Sequence, residues 1–139
     1  MLHLDRIDQL PTARVDAVIV SCAISAGIHG ALVPEHFEEG AGPGGGFVAA
    51  TVLLAALILA LTREPASRAV VASTAVVLVG LIGSYVLAVT TGVPLLHPEV
   101  EPVDGLALVT KAVEVAGLGT AMSLSWRPHG AVTRQPKGI

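Results

Sequence analysis

Imidazoles and carboxylates carry most of the chemistry this chain can offer, and they come in two groups. His29, Glu35, His36, Glu38 and Glu39 fall within eleven residues of one another, and His97, Glu99, Glu101 and Asp104 follow much later in the chain. Imidazole combined with carboxylate suits zinc, copper(II), iron or nickel, and the lack of thiolate or methionine nearby argues against copper(I). The candidate metal ligands are therefore His29, Glu35, His36, His97 and Glu99, with zinc or copper(II) as the favoured ion. "PEH" and "HPE" set a histidine near a glutamate, with proline stiffening the turn. The spacing matches no dedicated metal motif. A plainer reading stands beside it, in which the carboxylates are solvated, His36 and His97 sit at a membrane interface, and His29 is a hydrogen-bonded packing residue.

Lys111 and Glu114 form the other constellation, at i and i+3, where they can pair on a helix. One reading is an ion pair that fixes helix register; the alternative is a proton or ion relay, since ionisable groups inside a span often belong to pathways. No nucleophile is accompanied by a base. Ser25 and His29 are four apart, but no third group orients them. No enzyme activity is assigned on that basis. Haem ligation by His29 and His97 is opposed by an aromatic content of 3%, which also leaves little ring surface for flat cofactors.

The elements that must position these residues follow from composition. The 139 residues are 53% hydrophobic and 14% charged, with a mean hydropathy of +0.74, far from a soluble domain. Four apolar runs, 15–33, 47–62, 69–91 and 105–126, account for it. Lipid offers no partner for backbone amides, so runs near the ~20 residues that cross a ~30 Å core are expected to be helices. The fold class predicted is all-α: a four-transmembrane-helix bundle forming a single membrane domain over 1–139, with short tails 1–13 and 127–139. Span one is expected to stop at Pro34, and "GAGPGGG", 40–46, to be a flexible connection.

On a helix, Cys22, Ser25 and His29 share one stripe of span one, and Asp104, Lys111, Glu114, Gly117 and Ala121 one stripe of span four. His29 is expected to reach Lys111 or Glu114 across the interface. Basic residues set the orientation. Arg6 and Arg14 precede span one, Arg63 and Arg68 lie between spans two and three, and Arg127, Arg134 and Lys137 follow span four. The other two connections contain no Lys or Arg. A multi-pass plasma-membrane protein with both termini cytoplasmic is the expectation, and both acidic connections then face outside. "IVSC", 19–22, fits the consensus before a lipid-modified cysteine, but Asp16 interrupts the apolar region such a signal needs. Cys22 stands alone, so no disulfide framework exists within one chain. No basic patch supports nucleic-acid binding.

"GIHGALVPEHFEE" and "TTGVPLLHPEVEPVDGLALVTKAVEVAGL" resemble a group of uncharacterised small four-helix integral membrane proteins of actinobacteria. The matching residues include His29, Glu35, His36, Glu99, Glu101, Lys111 and Glu114. This chain departs after Glu39, where that group tends to carry aromatic residues. The resemblance implies the architecture and the choice of residues, and no activity. Two functions are expected from the whole: an extracytoplasmic His/Glu cluster for metal handling or sensing, or a non-catalytic accessory subunit of a larger membrane complex. The partners expected are the lipid bilayer, further copies of the chain, or larger subunits.

Overall fold

The computed structural model describes residues 5–93 and 98–125. They form four helices: α1 (Asp5–Glu39), α2 (Ala41–Arg63), α3 (Arg68–Thr90) and α4 (Gly105–Ser125). Each is long and apolar enough to cross a membrane. α1 packs against α2 and α4, and α3 against α4 and, least extensively, α2. The backbones of neither diagonal pair approach closely among the described residues, so the helices stand at four corners around one shared core of side chains.

One stripe of each helix faces that core. Val18, Cys22, Leu54, Leu61, Leu78 and Ala121 are its fully or almost fully buried apolar members. The other faces stay apolar and exposed, as at Val52, Val76 and Leu108, which is the pattern of helices solvated by lipid. Where two backbones approach closely, side chains are small. A Cβ added to Gly117 on α4 would lie 2.8 Å from Ser21 Cβ on α1. That approach brings the two helices near enough for short polar side chains to bond across the interface.

Two elements differ from the sequence expectation. α1 runs through Pro34 to Glu39 instead of stopping at 33. Proline there costs the Gly30 carbonyl its helical partner, and the turn beyond is held by contacts with α2: the His36 ring stacks on Phe47 at 3.6 Å and Phe37 covers Gly44. Within α1, His36 Nδ1 also lies 2.9 Å from the Leu32 carbonyl. "GAGPGGG" is likewise not a flexible connection. Only Gly40 separates the two helices, at φ 156° and ψ 165°, a region open essentially to glycine alone. Pro43 lies in the first turn of α2, where an amide has no helical acceptor to lose. Gly44 is needed because a Cβ there would occupy the space of the Phe37 ring.

At the remaining junctions, caps do the work. The Ser67 hydroxyl accepts from Val70 N–H to start α3, and Asp104 Oδ1 accepts from Ala107 N–H at 2.8 Å to start α4. Asp104 is thus an exposed cap and not a member of the buried stripe, which begins instead at Thr110 and continues through Glu114, Gly117 and Ala121.

Candidate functional site

The centre of the site is a polar network inside the apolar core. Glu114 is completely buried on α4. Its Oε2 pairs with Lys111 Nζ at 2.6 Å, one turn earlier on the same helix. Its Oε1 accepts a hydrogen bond from the Ser25 hydroxyl on α1 at 2.7 Å. Lys111 also reaches the Leu81 carbonyl of α3 at 3.4 Å and lies 5.6 Å from the centre of the Tyr85 ring. The network therefore ties α1, α3 and α4 at one depth.

His29 joins through Ser25. Its Nδ1 is 2.9 Å from the Ser25 carbonyl and 3.3 Å from the Ser25 hydroxyl. A carbonyl can only accept, so Nδ1 carries the proton and Nε2 keeps the lone pair in the neutral ring. His36 repeats the arrangement on Leu32 seven residues later. Both imidazoles lean back along the helix in the same way, each with Nδ1 on the carbonyl four residues earlier. The Phe47 ring stands beside both, 5.2 Å from His29 and 3.6 Å from His36.

His29, His36, Phe47, Tyr85 and Lys111 line a cavity of about 610 Å³ at the end of the bundle where the α1–α2 and α3–α4 connections lie, with Ser25 and Glu114 outside its lining. α2 and α3 are joined at the opposite end, by residues 64–67, and both contribute walls here. Ile28, Leu32, Ala50, Leu81, Ala88 and Leu106 make the walls apolar. His29, Tyr85, Thr110 and Lys111 lie deeper, and Glu35, Glu39, Glu101 and Asp104 add carboxylates from the helix ends and connections. The Tyr85 hydroxyl is buried and has no hydrogen-bond partner among the described residues. A second cavity of about 560 Å³ lies at the other end, walled by residues such as Val15, Leu61 and Val71, with no aromatic ring in its lining among the described residues.

The expected metal ligands are distributed unevenly over this geometry. His29, Glu35 and His36 line the cavity, Glu99 is exposed and is not part of the lining, and His97 lies outside the described residues. Among the described residues, no three of His, Cys, Asp and Glu converge as a metal-binding group. Phe47 and Tyr85 were not among the expected site residues, and Ser25 was placed on the His29 stripe without its bond to Glu114. Ser25 had a signal, since it shares the His29 stripe and a hydroxyl there faces α4. Phe47 and Tyr85 had a weaker one, as two of the few aromatic residues of the chain placed in or at the edge of spans. Scarcity argued against a ring-lined site, yet the fold collects both of these rings and two imidazoles around one cavity.

Comparison with family models, with curated proteins and with solved structures finds no match to this chain. The class is defined by the fold alone: an all-α bundle of four helices fit to span a membrane, with a polar network and a cavity at one end.

Proposed function

We propose that this chain is a multi-pass plasma-membrane protein, both termini cytoplasmic, that holds a small, largely apolar ligand in the cavity at its acidic end and does not itself catalyse a reaction. The cavity is the observation that carries this reading. Its volume of about 610 Å³ falls within the ~300–1,000 Å³ typical of small-molecule sites, and apolar walls with a few fixed polar groups are their usual lining. The Ser25–Glu114–Lys111 network supports it by holding the deep wall on three helices at once.

The orientation rests on charge. Arg14, Arg63 and Arg68 lie at one end of the bundle and Glu35, Glu38, Glu39, Glu99, Glu101 and Asp104 at the other. Basic residues favour the cytoplasmic side, so the cavity faces outward.

Native mass spectrometry of the chain extracted gently from its own membrane tests the reading. A bound mass of a few hundred daltons, one per chain, is expected, and it should vanish in Gly46→Leu, which fills the cavity from a position where a Cβ meets nothing within 4 Å. A bare wild-type mass would overturn it.

A transition metal is a second reading, favoured by one observation. The His36 Nδ1 contact with Leu32 leaves Nε2 as a lone pair on the cavity wall beside Glu35 and Glu39, the arrangement that orients metal-binding imidazoles. His97 and Glu99 would complete such a set from the α3–α4 connection. Elemental analysis of protein purified without chelator should then find one zinc or copper per chain, lost in His36→Ala/His97→Ala. Equal metal content in wild type and variant rejects it.

A further inference from the structure

The lining of the acidic-end cavity is divided by chemistry. Within the bundle its wall is aliphatic, built by Ile28, Leu32, Ala50 and Leu81. Four carboxylates, Glu35, Glu39, Glu101 and Asp104, belong to the same lining, and all but the half-buried Glu101 are exposed, so they stand at its mouth. The α3–α4 connection is pinned there, because the Glu101 N–H donates to the Ala88 carbonyl at 3.0 Å and Ala88 is itself part of the lining. Acidic helix ends by themselves make a solvated surface. Here they frame an apolar cavity of small-molecule size.

Charge fixes the sign of what can enter. Among the described residues Lys111 is the only lysine or arginine in the lining, and its ammonium is paired at 2.6 Å with Glu114, which lies outside that lining. Asp104 gives one oxygen to the Ala107 N–H as the cap of α4. Glu35, Glu39 and Glu101 therefore set the field at the mouth, with no lysine or arginine of the lining to balance them. A carboxylate, sulfonate or phosphate head would enter against that field, and so would the phosphate of a bilayer lipid. A cation is drawn in by it. The wall decides the rest of the molecule: Phe47 is already covered by the stacked His36 ring, so the surface left to an occupant is aliphatic.

We infer that the cavity binds a single-chain organic cation, with an aliphatic tail against Ile28, Leu32 and Leu81 and an ammonium head at Glu35, Glu39 and Glu101. This rests on the cavity being a ligand site and specifies its occupant. The tail is held by shape and the head by charge, so different substitutions remove the two contributions.

The experiment compares three probes that share an octyl tail on the full chain in phosphatidylcholine nanodiscs, with protein-free discs subtracted: octyltrimethylammonium, its uncharged carbon isostere 2,2-dimethyldecane, and octanesulfonate. Wild type should bind the ammonium saturably at one per chain, the hydrocarbon more weakly and the sulfonate least. Glu35→Gln/Glu39→Gln/Glu101→Gln should weaken the ammonium about tenfold, the combined worth of several exposed ion pairs. It should leave hydrocarbon binding, helix content and melting unchanged. Higher ionic strength should weaken the ammonium alone. Gly46→Leu, at a position where a Cβ meets nothing within 4 Å, should keep the helix content and abolish binding of both. Equal binding of ammonium and hydrocarbon, or an ammonium preference that the three glutamines leave intact, with binding lost in Gly46→Leu, would overturn the cation assignment and leave the cavity standing as a ligand site. Binding that survives Gly46→Leu, or no saturable binding of any probe, would overturn the cavity reading and this inference with it.

Discussion

Removing the Glu114 carboxylate would strand two donors at once, the Lys111 ammonium and the Ser25 hydroxyl. A buried pair that loses one partner typically costs ~3–5 kcal/mol, whereas replacing both partners by apolar groups is often neutral. Glu114→Ala should therefore be strongly destabilising in a denaturant titration in mixed micelles, and Lys111→Met combined with Glu114→Leu should recover most of the loss. Ser25→Ala removes a single interhelical hydrogen bond, for which measured membrane values average ~0.6 kcal/mol and reach ~1.7. If Glu114→Ala costs no more than Ser25→Ala, the ammonium has found another partner and the network does not set helix register. The pair itself could be read from sequence, because two opposite charges one turn apart inside an apolar run have few affordable alternatives. The Ser25 bond to Glu114 could not, because a hydroxyl in a span often satisfies itself on the preceding turn, as Ser21 does on the Ala17 carbonyl.

Glycines test the account at the level of elements, since each predicts its own cost. Gly44 lets Phe37 close the α1–α2 turn, and Gly117 lets α1 and α4 approach to the distance the Ser25–Glu114 bond requires. Gly44→Val and Gly117→Val should each cost ~1–3 kcal/mol, the usual range for overpacking. Gly119→Ala meets nothing within 4 Å and should be neutral or slightly stabilising. Thermal unfolding in detergent separates these outcomes, and a Gly117→Val as stable as Gly119→Ala would contradict the close α1–α4 packing. The apolar runs made the four helices legible, because period and length leave lipid-exposed backbone no other solution. Their ends were less so. Proline and glycine carry strong local preferences against helix, and at Pro34 and in "GPGGG" those preferences yield to contacts with a neighbouring helix that no local pattern records.

The molecule is asymmetric along its axis: among the described residues the arginines lie at the end with the short α2–α3 connection, with Asp16 and Glu64 beside them, and the cavity end carries carboxylates without an arginine. That asymmetry could be counted in the sequence, but the cavity could not, because it arises from how α2 and α3 sit relative to each other and not from either helix alone. If the chain works instead as an accessory subunit, larger proteins should accompany it through mild extraction and its own mass should be bare. Orientation and cavity can be read together in one experiment. Cys22 is buried and is the only native cysteine, so Cys22→Ala gives a clean background for Gly46→Cys on the cavity wall. The measurement is the rate at which small membrane-impermeant methanethiosulfonates, one cationic and one anionic, modify Gly46→Cys when added to intact cells. An outward cavity lined by carboxylates should be modified from outside, with the cationic reagent several-fold faster. No modification from outside, or equal rates for the two charges, would contradict an acidic cavity open to the exterior.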